Sequence, residues 1–148
     1  MYKRILVPLD GSLRAESILP HVVGFAISLD AEVVLLRVFE PDFSLVDPYG
    51  HPPEFYEALR EKWQEEVESY LEMIRESLSG KGLRVRVLVE GEPVVQTIVD
   101  VAEREGADLI AMASHGRTGL ARVIYGSVAS GVLNRADRPV LLICTGKD

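Results

Sequence analysis

At 148 residues, 47% of them apolar and 26% charged, the chain has the size of one ordinary domain, since a single core usually serves ~100–200 residues. With 16 Lys and Arg against 23 Asp and Glu the formal charge is −7, which excludes a broadly basic surface. General affinity for nucleic acid or anionic lipid goes with it, because both begin with phosphates neutralised by clustered cations. The lone Cys144 excludes an intrachain disulfide and a cysteine-rich zinc site. No apolar run approaches the ~18–20 residues that span a bilayer, and the Met-Tyr-Lys-Arg start has no small-residue cleavage site. The expectation is a cytoplasmic protein forming a single domain over residues 1–148.

Short β-branched runs alternate with longer stretches of helical period, the pattern of a parallel sheet covered by helices on both faces. Arg4 to Leu9 is a nearly continuous apolar strand ending in Asp10-Gly11-Ser12. Ser12 is placed to cap a helix whose apolar face is Ala15, Ile18, Leu19, Val22, Val23, Ala26 and Leu29. Pro20 lies inside that period and predicts a kink or a locally lost hydrogen bond. Strand two is Glu32 to Phe39, and Glu40 to Pro53, with four prolines and no period, is a long loop of the kind that is usually functional or mobile. From Glu54 to about Ser79, the residues Phe55, Leu59, Trp63, Val67, Tyr70, Leu71, Ile74 and Leu78 mark one face of a long amphipathic helix, with Trp63 read as core packing. Gly80-Lys81-Gly82 ends it.

Strand three is Arg84 to Val89, and Gly91-Glu92-Pro93 opens a helix over Val94 to Glu105 that Gly106 closes. Strand four, Asp108 to Ala113, leads into Ser114-His115-Gly116-Arg117-Thr118-Gly119; a short helix follows from about Ser127 to Asn134, and Arg138-Pro139 introduces strand five, Val140 to Cys144. Cys144 on this apolar strand reads as a buried small hydrophobe. Right-handed crossovers then give an open, doubly wound, parallel five-stranded α/β sheet of order 3-2-1-4-5 with four helices.

In such a sheet a ligand binds outside the carboxyl ends of the strands where the strand order reverses, here between strands one and four. The two most unusual loops, Asp10 to Ser12 and Ala113 to Ser127, sit at those two ends. Glycines let backbone amides approach an anion, and Gly126-Ser127 at a helix start adds unsatisfied N–H groups and a hydroxyl. The glycine spacing alone fits a structural turn as well as a phosphate loop, and neither the P-loop nor the dinucleotide fingerprint is present. On the residues alone Asp10 is equally a turn cap and a ligand contact. His115 lacks a fixed acid or base partner, Arg117 and Arg122 are either phosphate-neutralising or solvated, and His21 and His51 have no third metal ligand.

Taken together, Val7-Pro8-Leu9-Asp10-Gly11-Ser12, Gly91-Glu92-Pro93, Ala107-Asp108-Leu109-Ile110, Ala113 to Gly119, Tyr125-Gly126-Ser127-Val128 and Arg138-Pro139-Val140-Leu141 resemble the universal stress protein family. The resemblance runs through the whole chain in order, and only Glu40 to Pro53 lies outside it. It implies an adenine nucleotide alpha hydrolase-like fold. The ATP-binding branch of the family carries Gly-x2-Gly-x9-Gly-(Ser/Thr), which falls here on Ala113, Gly116, Gly126 and Ser127, with alanine in place of the first glycine.

By that resemblance Asp10 accepts hydrogen bonds from ribose hydroxyls and backbone groups of Val38 read the adenine edge. Gly116, Gly126, Ser127 and the amide of Val128 hold the phosphates, and Pro8, Ala113 and Arg117 complete the site. ATP brings Mg2+ or Mn2+ on its phosphates. The implied protein is a nucleotide-responsive regulatory homodimer of the stress response, paired through Val140, Leu141, Leu142 and Ile143, and not an enzyme, with weak ATP hydrolysis left open. The alternative is a dimeric interaction module of the same fold whose site Ala113 has disabled. A slow ATP hydrolase ranks last, since only His115, Arg117 and Arg122 are available for phosphoryl transfer.

Overall fold

The computed structural model describes residues 1–39, 49–114, 117–119, 122–124 and 126–145. Its apolar runs become five parallel strands: β1 (Arg4–Pro8), β2 (Glu32–Phe39), β3 (Val85–Gly91), β4 (Leu109–Ser114) and, last in the chain, β7 (Val140–Cys144). They form one sheet in the order β3-β2-β1-β4-β7, the expected topology. Because successive side chains point to opposite faces of a strand, each run feeds two cores. Ile5, Val7, Leu9, Val33, Leu35, Leu109 and Ala111 pack under α2 (Leu19–Leu29) and α3 (Pro53–Ser79), which contribute Val22, Ala26, Val67, Leu71, Ile74 and Leu78. Leu6, Val34, Leu36, Ile110 and Met112 pack under α4 (Val94–Arg104) and α5 (Ser127–Arg135) through Ile98, Val101, Ala102, Ala129 and Val132. Each fully buried Leu or Ile of these layers contributes ~1.5–3 kcal/mol relative to leaving it in water.

The first helix is not a kinked rod. It divides into α1 (Leu13–Glu16) and α2, and Pro20 falls in the first turn of the second piece, where its missing N–H costs nothing. Ser12 caps α1 as expected, its hydroxyl accepting from the Ala15 N–H at 3.1 Å. The stretch after β4 also differs from a plain loop. Residues 117–119 (β5) and 122–124 (β6) pair antiparallel as a small separate ribbon. Most of the long loop, residues 40–48, lies outside the described residues. Cys144 is exposed, which corrects its reading as a buried hydrophobe: it ends the strand at the edge of the sheet.

Ion pairs gather at the amino ends of the strands, the end away from the switch-point loops. Glu32 takes Arg4 at 3.0 Å and Arg86 at 2.9 Å, and Arg86 also reaches Glu105 at 3.0 Å. Such exposed pairs contribute little individually and leave the other end of the sheet free for a site.

Candidate functional site

The crevice originates in a proline. In β1 the Lys3 carbonyl and the Leu9 N–H bond to the β2 side, while the Arg4 carbonyl accepts from Asp108 beside β4. Backbone groups of a strand alternate between neighbours, so the next-but-one positions Leu6 and Pro8 face β4. Pro8 has no N–H to donate. The β1–β2 ladder therefore runs to Pro8↔Leu36, whereas β1–β4 pairing stops at Leu6↔Ile110. Beyond that point the two strands part, at the place where the strand order reverses.

The parting opens a cavity of about 660 Å3, within the ~300–1,000 Å3 typical of small-molecule sites. Its walls come from both layers: Pro8, Asp10, Val38, Ala113, Gly126, Ser127 and Val128 all line it. These are seven of the nine residues expected from the sequence. Gly116 lies outside the described residues, as does His115, and Arg117 is described only as a backbone position of β5.

Asp10 serves its turn, its Oδ1 accepting the Ser12 N–H at 2.8 Å, and also stands exposed on the cavity wall. The two alternatives left open for it are thus compatible. At α5, Gly126 takes the cap position without a side-chain hydrogen bond, and the first intrahelical bond runs from Ser130 N–H to the Gly126 carbonyl at 2.9 Å. The amides of Ser127, Val128 and Ala129 accordingly have no helical partner, and the positive end of the helix dipole faces the cavity. Ala113 is an extended strand residue; among the described residues Asp30 alone combines a side chain with positive φ. Its methyl packs with the core under α2 and α3.

Some wall residues escape sequence reasoning. Arg37 is half-buried on the wall, and an arginine in the otherwise apolar run Val33 to Phe39 is the signal that could have found it. Trp63 is 44% exposed and lines the same cavity, which corrects its reading as core: it sits one turn before Val67, the first buried residue of α3. With Arg14 and Glu66, the charged lining among the described residues is two basic and two acidic side chains. Within that lining, attraction for an anion falls to backbone amides. The Tyr70 hydroxyl is buried near the Glu16 carboxylate with no hydrogen bond of ordinary geometry among the described residues, and burial first, then that carboxylate, pushes its ionisation well above the usual phenol range. Among the described residues no cluster of three His, Cys, Asp or Glu side chains could hold a metal, and no helix is long and apolar enough to cross a membrane.

This geometry agrees with comparisons to known proteins. Universal stress protein MJ0577 of Methanocaldococcus jannaschii is 37% identical over 155 aligned residues, covering 97% of this chain and 95% of its own. A solved structure of MJ0577 superposes with a TM-score of 0.82 at 36% identity, covering 100% of this chain and 99% of that one. A universal stress protein solved in complex with cAMP is more distant, 19% identical with a TM-score of 0.71 over 97% of this chain and 98% of that one, a likeness of fold. The family model described as "Universal stress protein family" matches residues 1–143. With its 3-2-1-4-5 sheet and its crevice between the first and fourth strands, the chain belongs to the universal stress protein family.

Proposed function

We propose that the chain binds ATP in the crevice between β1 and β4 and acts as a nucleotide-responsive regulatory homodimer. The observation that carries the reading is the meeting, in one cavity, of Asp10 with the uncapped amino end of α5. The carboxylate is a natural acceptor for ribose hydroxyls and the free amides of Ser127 and Val128 for phosphate oxygens. Val38 borders the cavity on the β2 side, and its backbone groups would take the adenine edge. Mg2+ or Mn2+ rides on the phosphates, and Arg117 on β5 stands for a further phosphate contact. That a distant member of the fold holds cAMP is consistent with an adenine nucleotide class. Pairing through β7 covers a sheet edge whose Val140, Leu141, Leu142 and Ile143 remain only half-buried in the single chain.

Calorimetric titration with ATP and Mg2+ tests the site, and sedimentation with and without nucleotide tests the dimer. Saturable 1:1 binding in a dimeric protein is expected. No binding at millimolar ATP overturns the nucleotide reading and leaves the interaction module.

A further inference from the structure

Near the end of the second strand stands an arginine that the fold does not use. In β2 the alternation Val33, Leu35, Arg37 carries a guanidinium toward the layer under α2 and α3, where the two preceding members are fully buried. Arg37 is itself half-buried and lines the cavity, yet no hydrogen bond or ion pair joins it to another described residue. Taking a guanidinium partly out of water without a partner costs free energy that an apolar side chain on this otherwise apolar strand avoids. A ligand that supplies the missing anion reverses that balance.

The position of Arg37 selects which part of a ligand meets it. The guanidinium lies over Gly11, where a Cβ would stand 2.5 Å from Nη1, so the absent side chain of Gly11 leaves the space it fills. Gly11 directly follows Asp10, the carboxylate read above as the acceptor for ribose hydroxyls, and Asp10 lines the same cavity. The α5 amides belong to the other face: Leu36, Met112 and Ala129 reach the cavity from the core under α4 and α5, whereas Arg37 stands with Leu9 and Val67. The four charged side chains of the cavity cancel in sum, which leaves its net pull on an anion to the amides, but they do not cancel at every point. Arg37 is a local cation at the ribose end of the crevice.

Resting on the nucleotide reading above, we infer that Arg37 is a specificity-determining residue that takes a phosphate carried on a ribose hydroxyl, so that the site prefers adenine nucleotides phosphorylated on the ribose as well as on the 5′ side. Asp10 keeps the hydroxyl that remains free. A phosphate monoester there carries ~1.5–2 negative charges, and a guanidinium meets it through paired N–H donors. Dinucleotide-binding folds divide the same task, a carboxylate holding a free ribose hydroxyl and a nearby arginine admitting a phosphorylated one. Without the arginine, the Asp10 carboxylate would repel such a ligand.

The test compares AMP, ADP, adenosine 2′,5′-bisphosphate and adenosine 3′,5′-bisphosphate in calorimetric titrations of the wild type and of Arg37→Gln. The wild type is expected to bind at least one bisphosphate about tenfold or more tightly than AMP, the effect of one charge-assisted contact, and the preferred isomer identifies the hydroxyl that Arg37 faces. In Arg37→Gln that preference is lost, whereas the ratio of ADP to AMP affinity, set by a second phosphate on the 5′ side, stays the same. Three results overturn the inference while leaving nucleotide binding intact: equal or weaker binding of both bisphosphates than of AMP by the wild type, a preference that survives in Arg37→Gln, or an equal loss for ADP and the bisphosphates. The first of these needs no variant. A wild type that binds none of the four, nor ATP, overturns the underlying reading together with the inference.

Discussion

The guanidinium of Arg37 lies directly over Gly11, so that a methyl added there would stand 2.5 Å from Nη1, and Gly11 itself adopts φ +86°. Two separate penalties await Gly11→Ala: a left-handed backbone disfavoured by ~1–2 kcal/mol for an L side chain, and displacement of the arginine. The variant is expected to lose that backbone cost plus a smaller steric part. In a double-mutant cycle, Arg37→Ala should restore only the steric part, because the backbone penalty remains. Full restoration in chemical denaturation would show that the contact alone requires glycine.

Pro8 makes a second prediction, since it removes the donor that would extend the β1–β4 ladder past Leu6↔Ile110. Pro8→Ala supplies an N–H on the β4 side, worth ~0.5–1.5 kcal/mol, and gives up ~0.4–1 kcal/mol of proline's restraint on the unfolded chain. Stability should change little. Nucleotide affinity should fall several-fold, because the crevice must now be reopened, and amide exchange near the ends of β1 and β4 should slow. Unchanged affinity would mean that the proline is not what parts the strands.

How much of this was legible in the sequence follows from which interactions decide each feature. Strand order was, because the apolar runs are buried on both faces and right-handed crossovers leave few topologies. Seven cavity residues were, because motif and switch point converge on the same loops. At Pro20 the ladder is interrupted as expected, but the break divides the stretch into two helices, because periodicity reports the buried face and not where one helix stops and the next begins. Trp63 lies on the apolar stripe of α3, yet burial along that stripe begins only at Val67, which depends on what the helix packs against and is contained only in tertiary structure. The β5–β6 ribbon is three residues a side, too short for alternation to register.

Tyr70 gives a pH dependence. Burial first, and then the Glu16 carboxylate, raise its ionisation above the ordinary value of 10.0. The folded state thus holds a proton that the unfolded state releases as the pH passes 10, so this contribution is complete below pH 10 and is lost as pH rises through the raised folded value. Tyr70→Phe should remove that alkaline loss. At neutral pH it should leave stability unchanged or slightly higher, since it deletes a buried hydroxyl without a partner. Denaturant midpoints at pH 7 and above pH 10 check both; a variant clearly destabilised at pH 7 would point to a hydrogen bond with Glu16.

Ala113 decides whether the departure from the family's glycine motif disables the site. The residue is extended, in register with Ile143 on β7, and its methyl packs into the core beneath α2 and α3. Neither the backbone nor the space there calls for glycine. Ala113→Gly is therefore expected to lower stability by ~0.5–1 kcal/mol, the usual cost of glycine inside a strand, and to leave ATP affinity within about threefold of wild type. Thermal unfolding and calorimetric titration on the same preparation separate the two effects. A gain in affinity beyond tenfold would mean that the methyl obstructs the ligand, and the site would then be a weakened one.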